Sequence, residues 1–199
     1  MYLASMEELH KQIILNAFKD AELSEEHAQD FLGLWKPVSI SKHTLMTEVG
    51  KVERRFYVVI KGVQAVYLLD RKGNKVVIGF SFDGSYSGIY DSFVDREPSG
   101  YFLEALTDSE LYYITPDEYD ALFDKYPGFD RWGRIVHGFL LKGRVQRELE
   151  ISTLTSEERF KLFMKRCPQQ LRQIPQKYLA AYLNMTPETF SRLMNSVTW

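Results

Sequence analysis

The amino-acid sequence predicts an α+β fold in which an antiparallel β-roll of the jelly-roll type is followed by helices. Four short runs rich in β-branched and aromatic residues, at 55–60, 63–69, 75–82 and 110–114, are typical of strands. Glycine-containing turns at 61–62, 70–74 and 83–84 separate them, and no helix long enough for a parallel crossover interrupts them. From residue 115 onward the apolar residues recur at helical spacing.

The segment before the strands predicts two short helices within residues 6–34. Leu9, Ile13 and Ala17 recur at near-helical spacing among charged residues. Ser24, followed by two glutamates, is a typical start for the second helix. After the last strand, residues 115–118 combine a threonine with a proline in the first turn, which indicates that another helix begins there.

The longest periodic segment covers residues 129–152 and predicts one long helix. Gly138 and Gly143 would each cost this helix about 1 kcal/mol relative to alanine, which suggests that another backbone approaches them. Packing against the β-roll is one explanation, and a parallel helix pair in a symmetric homodimer is the one we favour. The expected dimerisation stripe consists of Trp132, Ile135, Val136, Phe139 and Leu149.

The helical pattern divides the chain into three expected units, at residues 1–126, 127–152 and 153–199. The hinge at 151–155 is short, and Thr155 with Glu158 forms a capping-box signal for the next helix. Residues 151–199 carry 7 Lys and Arg against 3 Asp and Glu, a net charge of +4, although the whole chain has a net charge of −2. A basic C-terminal unit is compatible with a polyanionic partner.

Composition excludes several classes of protein. With 45% hydrophobic and 14% aromatic residues among 199, the chain is globular, and it lacks both an apolar run of membrane-spanning length and a signal-peptide pattern at its start. We therefore expect a cytoplasmic protein without a membrane partner. A single cysteine excludes cysteine-cluster metal sites. The four histidines are scattered and no nucleophile–base pair is visible, so we expect neither an enzyme nor a bound metal or cofactor.

Residues 174–194 predict two helices joined by a tight turn. Asn184 tolerates the left-handed backbone that such a turn requires, Thr186 caps the second helix, and Pro187 occupies its first position. The polar residues of the second helix then share its outer face, namely Glu188, Thr189, Ser191, Arg192 and Asn195. Such a face suits a DNA major groove, but a merely solvated helical hairpin would show the same spacing.

The stretch 188–192 is similar to the recognition helix of the Crp/Fnr family of bacterial regulators. In that family a glutamate and an arginine four residues later read base edges, so the resemblance gives these roles to Glu188 and Arg192. It implies a DNA-binding helix-turn-helix, and we place Lys177 over a phosphate. The sequence has Pro187 where the family commonly has arginine, and it ends at Trp199, so we expect a domain lacking a full wing.

The resemblance extends over residues 35–198, because 56–62, the turn at Gly73 and 114–119 are similar to cyclic-nucleotide-binding β-rolls. It implies an effector domain in which a Gly-Glu pair and an arginine hold the nucleotide. Here isoleucine follows the glycine, the arginine position falls near Ser99, and Arg96 would need a register shift to replace it. A buried phosphate needs a fixed cation, so cyclic AMP is not the expected ligand.

We expect instead a flatter or less charged effector, although aromatic residues in a β-roll are also ordinary core. The expected effector pocket is lined by Tyr86, Gly88, Ile89, Tyr90, Ser99, Gly100 and Tyr101, with Phe93 and Phe102 beside them. The resulting hypothesis is a dimeric, sequence-specific DNA-binding transcription regulator of the Crp/Fnr type. The alternative is a ligand- or partner-sensing β-roll module that no longer binds DNA.

Overall fold

The computed structural model describes residues 7–168 and 172–196. Within the described residues, two α-helices precede the strands, a third lies among them, and five follow the last strand, which ends at residue 114. The helices are α1 (Glu8–Ala17), α2 (Glu25–Gly33), α3 (Tyr90–Asp95), α4 (Pro116–Lys125), α5 (Phe129–Thr153), α6 (Ser156–Arg166), α7 (Gln176–Tyr182) and α8 (Pro187–Ser196), with a short 3₁₀ helix at Lys19–Ala21. The strands are β1 (Lys36–Ile40), β2 (Leu45–Thr47), β3 (Phe56–Lys61), β4 (Gln64–Leu69), β5 (Lys75–Ser81), β6 (Tyr86–Ser87), β7 (Phe102–Ala105) and β8 (Ser109–Ile114).

The strands form two four-stranded antiparallel sheets, which confirms the predicted α+β roll. Their orders are β1-β8-β3-β6 and β2-β7-β4-β5. The four predicted strands correspond to β3, β4, β5 and β8, whereas β1, β2, β6 and β7 were not predicted. The missed strands are short or atypical in sequence; β1, for example, contains Pro37, which a strand tolerates at the edge of a sheet.

Alternation along β3 explains how the layers pack. Phe56 and Val58 face a core shared with α1, α2, α4 and the start of α5, whereas Tyr57 and Val59 face the second sheet. The second sheet turns its other face, including Ala65 of β4, toward the C-terminal helices. Successive strand residues point to opposite faces, so β3 and β4, which are covered on both sides, have nearly continuous apolar sequences.

The predicted helix starts are confirmed by their caps. The Ser24 hydroxyl accepts a hydrogen bond from the backbone N–H of His27 at the start of α2. Thr155 and Glu158 form the capping box of α6, and an equivalent box begins α4 at Thr115. In residues 7–168 and 172–196, no helix is both long and apolar enough to cross a membrane.

Candidate functional site

Helices α7 and α8 form the tight pair predicted from residues 174–194. Asn184 adopts a left-handed backbone conformation with φ of 51°, as predicted for the turn. The Thr186 hydroxyl accepts a hydrogen bond from the N–H of Thr189, which confirms the cap of α8. The buried ring of Phe190 packs edge-on against Phe160 of α6, with ring centroids 5.5 Å apart. This packing fixes which side of α8 faces outward.

Most of the residues that were predicted to contact DNA bases lie on the outer face of α8. Glu188, Ser191, Arg192 and Asn195 are exposed and line one shallow depression, together with Gln176 of α7, which the sequence reasoning missed. Hydrogen bonds from its own backbone N–H and from the Thr186 hydroxyl lower the pKa of Glu188, and they outweigh the smaller raising effect of burial. Its carboxylate is therefore ionised at neutral pH and acts as an acceptor.

Two of the predicted DNA-binding residues lie outside this depression. Thr189 is half-buried, and its hydroxyl lies 3.2 Å from that of Thr186, so it contributes to the helix cap. Lys177 is exposed but lines a separate groove between α7 and the β4–β5 hairpin. This groove adjoins the turn before α8, so Lys177 remains a positively charged neighbour of the outer face without belonging to it.

The sequence did not predict the hydrogen bonds that connect α6 to the turn between α7 and α8. The Arg159 guanidinium donates hydrogen bonds to the carbonyl oxygens of Leu183, at 2.8 Å, and Asn184, at 3.0 Å. Turn carbonyls left over at the end of a short helix need such donors. Arg159 is separated from the turn by 24 residues in sequence, so no local pattern could have identified this role.

Two adjoining cavities lie between the roll and α5, and they receive part of the predicted effector pocket. The first, about 600 Å³, is lined mainly by aromatic side chains, including Tyr86, Tyr90 and Phe93, and by the backbone region of Gly88. The second, about 640 Å³, is lined by Gly88, Ile89, Tyr90 and Tyr101. The predicted aromatic lining therefore exists, but it is divided between two spaces that share Gly88 and Tyr90.

The prediction that Ser99 and Gly100 line the pocket is wrong, since neither contacts either cavity. Ser99 is buried, and its backbone pairs with Gly50 and Lys51 in hydrogen bonds of 2.8 and 2.9 Å. Its hydroxyl accepts a hydrogen bond from the N–H of Tyr101. Residue 99 is thus a structural anchor between two loops, and Gly100 is exposed beside it.

Phe102 is also displaced from the expected pocket, because it stacks on Tyr67 of the neighbouring strand with ring centroids 5.3 Å apart. Arg96 has a left-handed backbone with φ of 59° and pairs with Asp117 and Asp120 of α4. Its guanidinium is therefore bound at the surface of the roll, away from both cavities.

The cationic side chains that do line the cavities were missed by the sequence reasoning. Arg55 lines the first cavity and lies over the ring of Tyr113, and α5 contributes Arg144 and Arg147 to the second. At the rim of the first cavity, the Tyr90 hydroxyl lies 2.6 Å from Nε2 of His137. Arg55, His137, Arg144 and Arg147 are distant in sequence from the predicted pocket residues at 86–101, and only the fold brings them to the cavities.

Some residues of the predicted dimerisation stripe on α5 are buried in the subunit, and the others are exposed. Trp132 is 1% exposed, its Nε1–H donates to the Tyr86 hydroxyl, and its ring stacks on Phe18. Its assignment to a dimer contact is wrong, because it belongs to the core of its own subunit. Val136 is half-buried against the same core. Ile135, Phe139 and Leu149 are exposed, as are three apolar residues that were not predicted, Leu140, Leu141 and Val145.

The architecture of this chain is similar to that of several known proteins. Residues 37–126 match the family described as the cyclic nucleotide-binding domain. No curated protein matches the chain by sequence. FixK2 from Bradyrhizobium japonicum is similar in structure, with a TM-score of 0.68, 17% sequence identity, and coverage of 81% of this chain and 83% of that one.

Two further solved structures agree in fold. The global regulator CLP from Xanthomonas campestris matches with a TM-score of 0.64 and 17% identity over 84% of this chain and 88% of that one. The catabolite activator protein from Thermus thermophilus matches with a TM-score of 0.55 and 20% identity over 87% and 83%. Residues 37–126 therefore match the cyclic nucleotide-binding domain family, and the chain shares the fold of these solved regulators.

Proposed function

We propose that the chain is a sequence-specific, DNA-binding transcription regulator of the Crp/Fnr type, in which α7 and α8 form the DNA-binding unit. The observation that carries the proposal is the row of exposed polar residues on α8, at positions 188, 191, 192 and 195. An arginine in such a row can pair with both acceptors of a guanine edge, and a glutamate can accept from cytosine. Because DNA is the proposed partner, we propose that the protein acts in the cytoplasm of a bacterial cell.

The proposed assembly is a homodimer formed through the exposed part of α5. Each helical residue advances by about 100°, so Ile135, Phe139 and Leu149 lie on one side of the helix within about 80° of one another. All three are exposed in the subunit, with Phe139 at 76%. A second copy of the same helix would cover this apolar side symmetrically. In this proposal the effector domain, the dimerisation helix and the DNA-binding domain cover residues 1–126, 127–152 and 153–199.

The proposed effector is a small molecule that enters the cavities beside α5, and it is not cyclic AMP. Ile89 occupies the position of the expected glutamate and has a side chain that is buried between the sheets. Arg96 pairs with α4, and Ser99 is fixed between two loops. Isothermal titration calorimetry should therefore give no micromolar binding of cyclic AMP or cyclic GMP. Micromolar affinity would assign the missing cation to Arg55, Arg144 or Arg147.

DNA binding is tested by selecting duplexes from a random pool and measuring fluorescence anisotropy on the selected and scrambled sequences. Arg192→Ala should weaken binding to the selected duplex by about 1–3 kcal/mol and relax preference at one base pair of each half-site. Lys177→Ala should weaken all duplexes alike and reduce the salt dependence.

Arg54→Ala is the matched control, because it removes the same charge from an exposed position on the roll. Its affinity should equal that of the unmutated protein. Equal affinity of the unmutated protein for every duplex, unchanged by Arg192→Ala, would contradict sequence-specific regulation. That result would support the alternative of a ligand- or partner-sensing module that no longer binds DNA.

A further inference from the structure

The DNA-binding unit of the proposed function is packed directly on the effector domain. Tyr178 and Leu179 of α7 share one buried cluster with Tyr67 of β4 and Val77 of β5. Phe80 of β5 also contacts the ring of Tyr182, at 5.2 Å between centroids. The two units therefore share a core, and any independent motion of α7 must first separate it from β5.

A buried ionic network lies inside this shared core. Lys75 Nζ lies 2.7 Å from Glu104 Oε2 and 2.9 Å from the Tyr178 hydroxyl, which itself donates to the same carboxylate at 2.8 Å. Tyr67 lies beneath the ammonium group, 3.7 Å from it, and His43 lies 3.6 Å from the second carboxylate oxygen. One strand residue from β5, one from β7 and one helix residue from α7 therefore meet at a single point.

Glu104 is 7% exposed and Tyr178 is 2% exposed, so the carboxylate and the phenol are shielded from water, whereas the Lys75 side chain is 30% exposed. Burial by itself would raise the pKa of Glu104, but hydrogen bonds from Lys75, Tyr178 and Tyr67 outweigh burial and lower it. The carboxylate is therefore ionised at neutral pH. A buried charge that loses its partners is strongly destabilising, so this contact favours one docked position of α7 over alternatives that separate the three groups.

Strand β5 connects the network to the effector cavity. Lys75 lies at the start of the strand, and residues 78–81 of the same strand line the second cavity opposite Gly143 of α5. Arg147, another residue lining this cavity, donates hydrogen bonds to the carbonyl oxygens of Val77 and Tyr182 at 3.0 and 2.9 Å. The cavity wall, β5 and the end of α7 thus form one continuous set of contacts.

We propose that Lys75, Glu104 and Tyr178 form a conformational latch that holds α7 on the roll, and that an occupant of the second cavity opens it by displacing β5 relative to α5. This proposal rests on the proposed function for the identity of the DNA-binding unit. The latch does not hide the reading face, because Glu188 and Arg192 are exposed in the docked position. It controls the position of α8 relative to the roll and to α5.

Hydrogen–deuterium exchange of the full-length protein tests the latch without DNA or effector. Glu104→Gln preserves the side-chain shape but removes the charge that Lys75 requires. The amides of residues 176–182 should then exchange about tenfold faster, since local opening becomes more favourable. Tyr178→Phe, which removes only the hydroxyl, should cause a smaller increase in the same amides. Glu110→Gln, an exposed carboxamide control on β8, should cause none.

A cavity-filling variant replaces the unidentified effector. A Cβ added at Gly143 or at Gly138 would meet nothing within 4 Å, so a side chain can begin at either position on α5 without a clash, and of the two only Gly143 lines the second cavity. Gly143→Phe should accelerate exchange in residues 176–182 by about as much as Glu104→Gln, because both open the same contact. Gly138→Phe should leave that exchange unchanged even where it weakens the helix pair, because residues 176–182 take no part in the proposed dimer interface.

Unchanged exchange in both Glu104→Gln and Tyr178→Phe would overturn the latch. Faster exchange in Glu104→Gln but not in Gly143→Phe, or equal effects of Gly143→Phe and Gly138→Phe, would overturn the coupling to the cavity. These readouts are independent of DNA binding. Failure of the protein to bind any duplex would therefore contradict the proposed function and leave the exchange result to decide the latch.

Discussion

The two ends of α5 carry apolar side chains at the same helical spacing but lie in opposite environments. Near its start, Phe129 and Trp132 are completely enclosed by the N-terminal helices and the roll. Further along, Phe139, Leu141 and Leu149 are more than half exposed. The difference shows that periodicity identifies the apolar side of a helix, while the surrounding fold decides what covers it. In the proposed dimer, the first end stabilises the subunit and the second end joins two subunits.

The largest expected effect is the loss of the dimer without a loss of subunit stability. Phe139→Asp should convert the homodimer to monomers at micromolar concentration, because a charge would be buried without a partner at the centre of the helix pair. The unfolding free energy of the subunit should change by no more than about 0.5 kcal/mol, since the side chain is exposed there. Analytical ultracentrifugation and denaturant unfolding measure the two quantities.

Leu9→Asp is the control for Phe139→Asp, because Leu9 is an exposed apolar residue on α1, outside the proposed interface. It should remain dimeric. A monomeric unmutated protein, or a Phe139→Asp variant that stays dimeric, would remove the distinction between the two ends of α5.

The next effect in size concerns the buried end. Trp132→Ala should lower the unfolding free energy of the subunit by about 3–5 kcal/mol, because it empties the space between Phe18 and the Tyr86 hydroxyl. The measurement is urea unfolding in the Phe139→Asp background, where association does not contribute. A loss below about 1 kcal/mol, typical of a surface site, would mean that Trp132 does not belong to the subunit core.

The smallest effect sharpens the position of the interface. Gly138→Ala and Gly143→Ala should each stabilise the monomeric Phe139→Asp variant by about 0.5–1 kcal/mol, because alanine is the better helix former and nothing lies near either added Cβ. If the partner helix approaches these positions closely, the same substitutions should weaken the dimer of the unmutated protein. An unchanged dimerisation constant would place the helix contact elsewhere along α5.

Local sequence signals were sufficient for the C-terminal helices. The turn at Asn184 and the cap at Thr186 are specified by neighbouring residues, and each is observed where it was predicted. The strands β3, β4, β5 and β8 were predicted for the same reason, since their turns and β-branched residues are contiguous in sequence.

The effector region depended on contacts that sequence spacing does not contain. Ser99 is held by residues 50 and 51, and Arg96 by α4, so neither could be placed by counting residues from Gly88. The network of Lys75, Glu104 and Tyr178 joins residues 29 to 103 positions apart. Buried polar groups gain partners only once the fold is formed, and this is why the latch had no signature in the sequence.

In the proposed assembly, two copies of the chain are joined through the exposed end of α5 and present two α8 helices to one DNA duplex. Sedimentation equilibrium with a selected duplex measures this directly. We predict two chains on one palindrome whose half-sites are about 34 Å apart, and much weaker binding to a duplex that contains a single half-site. One chain for each duplex, or equal affinity for the palindrome and the single half-site, would contradict the claim.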